Sequence, residues 1–168
     1  MIKVTLDIAK QGDARKHLEK VAKALAGPTQ VKVGFPSGKT PSDLVKIAFW
    51  NHEGTNRARG EVFRGRNGKT GISGPIPARP FIAVAMFKGR GEIKAFLRAE
   101  AKAIFNAKQT MAGTLPRLGL KGQGLIQAQM TSNMGPPNSA MTVFLKGSSG
   151  TLIDKGRLSG SVTWKIDA

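Results

Sequence analysis

Cysteine and tyrosine are absent from this 168-residue chain, and acidic residues, histidines and long apolar runs are scarce. Without cysteine, neither a disulfide framework nor a thiolate metal site can form. No apolar stretch approaches the length needed to span a bilayer. Residues Met1–Ile8 alternate apolar and polar side chains and do not form the apolar core of a signal peptide. We therefore expect a protein that is made and works without crossing a membrane.

The shortage of acids and histidines leaves little material for an active site. The ten acids are scattered, and no pair is placed by sequence for acid–base or two-metal chemistry. His52-Glu53 begins like a zinc-protease helix, but Asn56 stands where the second histidine ligand is required. His17 falls among lysines on the exposed side of a predicted helix. We expect no enzymatic activity, no metal and no cofactor.

The segment Gly34-Phe-Pro-Ser-Gly-Lys-Thr40 follows a predicted strand and ends in Gly-Lys-Thr, as a phosphate-binding P-loop does. Three residues separate its glycines where the motif needs four, and Pro36 removes a backbone N–H donor. Pro41 also disturbs the helix that should aim its dipole at the phosphate. An ordinary turn between strand and helix explains the same residues, so nucleotide binding is not expected.

Basic residues outnumber acidic ones by 27 to 10, which gives a formal net charge of +17. Such an excess favours a polyanionic partner, because each basic group placed against a phosphate releases condensed counterions. Charge that prevents aggregation and an acidic protein partner remain alternative explanations. The low aromatic content, 6%, disfavours a protein that binds single strands by stacking bases on aromatic rings.

The hydrophobic pattern predicts one α+β domain over residues 1–168, with a small mixed β-sheet packed against one long and two shorter helices. The apolar share, 40%, is modest, and 21 glycines and 9 prolines add turns, so a subunit of this kind often completes its core against neighbours. In the first third of the chain, we predict a strand over Ile2–Ile8, a helix from Asp13 to Leu25, a strand over Gln30–Phe35 and a helix from Asp43 to His52. A long helical region follows over 81–111, which Gly89 and Gly91 kink or divide. A weaker helix over 115–130 and a closing strand over Ser161–Ile166 complete the prediction.

Residues 55–75 form a basic insert that we interpret as an arm or mobile loop. Asn67-Gly68 is a favourable two-residue hairpin turn, which indicates a β-arm. Glu61 is the only acid in the insert. Its basic residues are Arg57, Arg59, Arg64, Arg66 and Lys69.

Two other segments have predictable local conformations. Pro77 and Pro80 hold the chain extended before Phe81 docks, and we expect Arg79 to point outward from between them, either free or in a surface ion pair. Near the C-terminus, Asp154 can accept backbone hydrogen bonds in a turn, and Gly156 suits a positive φ. Leu158 should then enter the core, so these three residues are expected to form a structural turn.

Three blocks of the chain, in order, resemble the tail-completion or neck (head–tail joining) proteins of tailed bacteriophages. Val45–Thr55 is similar to a family helix that ends in Asn-x-[acidic/aromatic]-Gly-Thr. Ile76–Phe81 is similar to the family's Ile-Pro-x-Arg-Pro-Phe entry into its long helix. Pro136–Ile166 is similar to a C-terminal pattern that contains Pro-Asn-Ser and Leu-Ile-Asp-Thr-Gly. The chain departs from that pattern at Lys155, where the family usually has threonine.

The resemblance implies a structural virion protein at the head–tail junction, present in the host cytoplasm during assembly. It implies a homo-oligomeric ring, commonly a hexamer in the family, that ends tail-tube growth and joins the tail to the neck while DNA passes through the lumen. We expect the five basic arm residues to contact a neighbouring subunit or the DNA path. Candidate interface residues are Ile76, Pro77, Arg79, Pro80 and Phe81. The alternative is a free, sequence-nonspecific nucleic-acid-binding protein in the host cytoplasm.

Overall fold

A computed structural model describes residues 8–56, 62–64, 70–72, 74–153 and 155–167, and these form a mixture of helices and antiparallel strands. The α+β class predicted above is confirmed. In chain order the elements are α1 (Ile8–Leu25), β1 (Gln30–Gly34), α2 (Ser42–Glu53), β2 (Val62–Arg64), β3 (Thr70–Ile72), α3 (Phe81–Phe105), α4 (Met111–Thr131), α5 (Ala140–Lys146), α6 (Arg157–Gly160) and β4 (Thr163–Asp167).

The centre of the fold is the pair of long helices α3 and α4, which have 25 and 21 residues. Thr110 caps the start of α4, because its hydroxyl accepts a hydrogen bond from the Gly113 N–H at 3.2 Å. We predicted one long and two shorter helices, whereas the described residues contain six helices, of which α3 and α4 are the longest. Gly89 does not divide α3; it lies against the side chain of Leu125 on α4, where the two helices approach closely.

A two-stranded antiparallel sheet of β1 and β4 packs on α4. Val33 pairs with Trp164, and both side chains face the helix. Gly119 makes this contact possible: a Cβ there would lie 2.6 Å from Cγ of the Trp164 ring. The expected mixed sheet is therefore wrong for the described residues, in which both sheets are antiparallel pairs.

The core lies where α2, α3, α4 and the C-terminal segment meet. Among the described residues, the largest side chains that are less than 2% exposed are Phe81, Ile126, Met130 and Val162. Leu44 and Ala48 on α2 close one side of this cluster. None of the helices in the described part is long and apolar enough to cross a membrane.

The N-terminal prediction differs from the structure. We expected Ile8 to end a strand, but it is the first described residue of α1, which extends five residues before the predicted start at Asp13. The remainder of that predicted strand lies outside the described residues. The helix Ser42–Glu53 and the strand Gln30–Gly34 agree with their predictions to within one residue at each end.

Replacing Ile126 by alanine tests the position of the core. Ile126 is 0% exposed, so Ile126→Ala should lower the free energy of unfolding by about 2–5 kcal/mol. Leu120→Ala on the same helix is the matched control, because Leu120 is 59% exposed and its loss should change stability by less than about 0.5 kcal/mol. Urea unfolding followed by circular dichroism measures both values; equal effects would contradict this packing.

Candidate functional site

The two ends of the arm over residues 55–75 are fastened to each other. The Thr55 N–H donates to the Ile76 carbonyl at 2.8 Å, and the Ile76 N–H donates to the Thr55 hydroxyl at 3.1 Å. Gly54 precedes this pair with φ 79°, and a Cβ there would lie 2.8 Å from the backbone of Ala78. Only glycine fits this position without displacing the backbone of the neighbouring segment at Ala78.

Arg79 lies inside the protein, with 2% of its surface exposed. Its backbone N–H donates to the Asn51 carbonyl at 2.8 Å. The guanidinium donates from Nε to the Pro136 carbonyl at 2.7 Å, and from Nη2 to the Pro137 carbonyl and to Asn138 Oδ1, both at 3.3 Å. Burial lowers the pKa of Arg79 from its usual value.

The prediction that Arg79 points outward, free or in a surface ion pair, is wrong. Three oxygen atoms of the segment 136–138 replace water around the charge, and a planar fork of N–H donors suits them. No carboxylate pairs with this guanidinium in the described part of the chain. The residue therefore ties the entry of α3 to a segment 57 positions later.

Phe81, the next residue but one, is fully buried beneath two other rings. Its ring centroid lies 5.6 Å from that of His52 and 6.2 Å from that of Phe35, in both cases edge to face. The His52 ring also hydrogen-bonds Glu53 at 2.8 Å. This histidine has a packing role, and no group of three potential metal ligands occurs within the described residues.

The segment that receives Arg79 is itself held by side chains. Asn138 Nδ2 donates to the Gly150 carbonyl at 2.9 Å, and Asn133 Oδ1 accepts from the Thr151 N–H at 3.0 Å. Ser139 caps α5 by accepting from the Thr142 N–H. The residues 51–55, 76–81 and 136–138 thus form one connected unit, which we call the three-block junction.

The proposed interface residues divide into two groups. Arg79 and Phe81 are buried within the chain's own three-block junction and offer no surface to a partner. Pro77 and Pro80 are exposed, and Ile76 is half-buried. Of the five proposed interface residues, only Ile76, Pro77 and Pro80 are accessible to a partner.

Most of the basic arm residues lie outside the described residues: Arg57, Arg59, Arg66 and Lys69. Arg64 is the last residue of β2, which pairs with β3 as an antiparallel hairpin. Arg64 faces Thr70, whereas a two-residue turn at Asn67-Gly68 would place Gly71 opposite it. The observed register is therefore one residue away from the predicted one, and five residues separate the paired strands.

The predicted C-terminal turn is described from Lys155 onward, so Asp154 lies outside the described residues. Gly156 has φ 73° and precedes the short helix α6, and Leu158 is 8% exposed and belongs to the core.

Lys39 and Thr40, from the segment that resembles a P-loop, hold the same region: Lys39 Nζ donates to the Trp164 carbonyl at 3.1 Å, and the Thr40 hydroxyl donates to the Ser161 carbonyl at 3.4 Å. These two residues have structural partners where a P-loop would present them to phosphate.

Sequence reasoning missed a buried carboxylate and an apolar cleft beside it. Glu100 is 6% exposed, lies 2.6 Å from Nη1 of Arg117 and accepts from the Thr114 hydroxyl at 3.0 Å. Its place in the apolar stripe of α3, one turn after Phe96 and one before Ile104, was the available signal.

The cleft has a volume of about 350 Å³ between α1, α3 and α4, and its apolar lining includes Val21, Leu25, Leu97, Ile104, Phe105 and Met111.

The chain matches no protein-family profile, no curated protein and no solved structure. Its resemblance to phage neck proteins therefore depends on the three sequence blocks alone.

Replacing Arg79 by lysine tests the three-block junction. Arg79→Lys keeps the charge but cannot reach Pro136, Pro137 and Asn138 together, so we expect a loss of about 2 kcal/mol in unfolding free energy, as for hydrogen bonds to charged groups. Arg157→Lys makes the same change in an exposed ion pair with Asp43 and should cost less than about 0.5 kcal/mol. Chemical denaturation compares the two variants, and similar midpoints would refute the role assigned to Arg79.

Proposed function

We propose that this chain is a structural virion protein of a tailed bacteriophage, forming a ring that completes or terminates the tail at the head–tail junction. The observation that carries this proposal is the three-block junction. Residues 51–55, 76–81 and 136–138 come from the three blocks that resemble neck proteins, and direct hydrogen bonds join them. The segments that support the resemblance therefore form one physical unit.

The junction also supports a role in assembly. Its charged and polar groups bond to backbone and amide oxygens of the chain itself, and this arrangement stabilises a shape. A closed ring needs two different complementary surfaces on every subunit, held in a fixed relation to each other. In this proposal the arm projects from the rigid junction toward a neighbouring subunit or the DNA path. Nonspecific attraction of DNA in a lumen needs only charge, which the excess of basic residues supplies.

Electron microscopy of particles made without this protein tests the proposed role. We expect filled heads that are separate from tails, and tails that are overlong or unattached. A size-exclusion or sedimentation measurement on the purified chain should give a ring, for which a hexamer is the expected size. Intact, infectious virions formed without the protein would refute the proposal.

Charge reversal in the arm tests its contribution. Arg57→Glu with Arg59→Glu should impair assembly or the retention of packaged DNA, because both charges are expected at the neighbouring subunit or the DNA path. Lys46→Glu with Lys94→Glu is the matched control, since both lysines are exposed and lie on helices α2 and α3. Plaque titre and DNA content of purified particles give the readout; equal values for the two double variants would exclude a role for these arm residues.

The second candidate function, a free nucleic-acid-binding protein, is favoured by the outer face of the β1–β4 sheet. Lys32 and Lys165 stand directly opposite each other across the two strands. Asp167 lies between them, 2.5 Å from Lys32 Nζ and 3.7 Å from Lys165 Nζ, and the hydrogen bond from Lys32 lowers the pKa of Asp167. A cleft of about 350 Å³ adjoins these three residues. Asp167 offsets only one of the two lysine charges, so this group of residues keeps a net positive charge that attracts phosphate.

Lys32→Glu with Lys165→Glu distinguishes this candidate. If the sheet face binds DNA backbone, the double variant should lower affinity for a duplex and reduce the slope of log affinity against log salt by about 2. The exposed pair Lys46 and Lys94, changed in the same way, provides the control. Fluorescence anisotropy with a labelled duplex measures the slope, and sedimentation shows whether the binding species is a monomer or dimer. Salt-independent or undetectable binding by the parent chain would eliminate this candidate.

A further inference from the structure

The apolar cleft between α1, α3 and α4 is wide and open to solvent. Leu25, Leu97 and Phe105 line it and are 47%, 41% and 62% exposed. Leu18 on α1 is 61% exposed and lies two helical turns before Leu25 on the same face of the helix, so it extends the apolar surface. Exposed apolar side chains grouped around one cleft are typical of a surface that binds a partner.

The polar groups at the edge of the cleft are already satisfied. Glu100 accepts from Thr114 and pairs with Arg117, so its carboxylate has partners within the protein. An occupant therefore gains little from polar atoms directed into the cleft. It gains most by placing bulky apolar side chains against Leu25, Leu97 and Phe105.

The cleft is bordered by basic residues. On α1, Lys20 precedes the lining residue Val21. On α3, Arg98 follows Leu97 and Lys102 follows Ala101, so each basic residue lies about 100° around its helix from the lining residue beside it. Lys108 lies in the turn between α3 and α4. None of these four makes an ion pair within the described ranges. On α1, Glu19 is held by Arg15 at 3.4 Å, so it does not offset this charge.

We propose that this cleft binds an acidic amphipathic helix of another protein. Its leucine-like side chains enter the cleft at helical spacing, and its aspartates and glutamates face Lys20, Arg98, Lys102 and Lys108. Charge complementarity selects this occupant, because acidic side chains along the helix attract the basic residues at the edge of the cleft.

The cleft and the three-block junction lie at opposite ends of α3. Phe81 of the junction is the first residue of α3, and Leu97 is the first residue of α3 that lines the cleft, so about 24 Å of helix separates the two. A partner in the cleft therefore leaves the arm free for other contacts. The inference does not depend on the proposed virion role and would hold for either candidate function.

A synthetic peptide of about five helical turns provides the probe. It carries leucine at positions i, i+3, i+4 and i+7 and glutamate at the positions that flank this leucine stripe on both sides. Two control peptides are a scrambled sequence of equal composition and a version with lysine for glutamate. Fluorescence anisotropy with the full chain should show the ordered acidic peptide binding at least about tenfold more tightly than either control, a difference that is readily measured.

Substitutions in the protein test whether the acidic peptide binds in the cleft. Leu97→Ser should weaken binding of the acidic peptide at least about tenfold. Phe87→Ser is the matched control, because Phe87 is on the same helix, is 65% exposed and lies far from the cleft, and it should leave affinity unchanged. Arg98→Glu with Lys102→Glu alters only exposed residues, so it remains informative if Leu97→Ser unfolds; it should abolish the preference for glutamate over lysine peptides.

Three results would overturn the inference. Equal affinity for the ordered and scrambled peptides would exclude a shaped groove. Binding to vesicles of anionic lipid that Leu97→Ser abolishes, without peptide binding, would assign the cleft to a membrane surface. Concentration-dependent self-association that Leu97→Ser abolishes would assign it to a second copy of the chain.

Discussion

The buried guanidinium of Arg79 is the interaction on which the other parts of this fold depend. It satisfies oxygens on Pro136, Pro137 and Asn138, and its own backbone is held by Asn51. A buried charge is costly unless hydrogen bonds replace its hydration, so the position of the 136–138 segment is specified to within a hydrogen-bond length. The N-terminus of α3, the end of α2 and the segment before α5 are thereby located together. Phe81 can then fill the core between His52 and Phe35.

Helical packing gives the rest of the chain its shape. Helices α3 and α4 form the longest contact, and the β1–β4 sheet rests on α4 through Trp164 and Val33. This arrangement leaves α1 with little of its surface covered, and the apolar cleft lies between α1 and the long pair. A rigid centre with one weakly covered helix is well suited to an assembly subunit, whose remaining apolar surface is buried only in the complex. The cleft is such a surface, and the proposed acidic helix would cover it.

Local patterns predicted some elements well and failed where distant contacts decide. The alternation in Gln30–Gly34 and the helical spacing in Ser42–Glu53 were sufficient, because each element presents one apolar face. Helix α4 was predicted only as a weaker helix over 115–130, because its glycines lower helix propensity. In the structure, Gly119 and Gly122 lie on its buried face and admit Trp164 and Val33, so packing outweighs propensity. The Arg79 side chain could not be placed from its neighbours, since its hydrogen-bond partners are 57 to 59 positions away. Glu100 was detectable as an acid within an apolar stripe.

The hydrogen bonds between Thr55 and Ile76 have a consequence for how this chain can vary. They close the insert at its base and hold Gly54 near Ile76, while within the insert β3 also contacts α5. Lengthening a closed loop costs only about 0.6 kcal/mol per doubling of its length. The segment between residues 55 and 76 is therefore a natural insertion point, where new lengths and new charges can be tried by evolution or by an engineer while the domain keeps its shape.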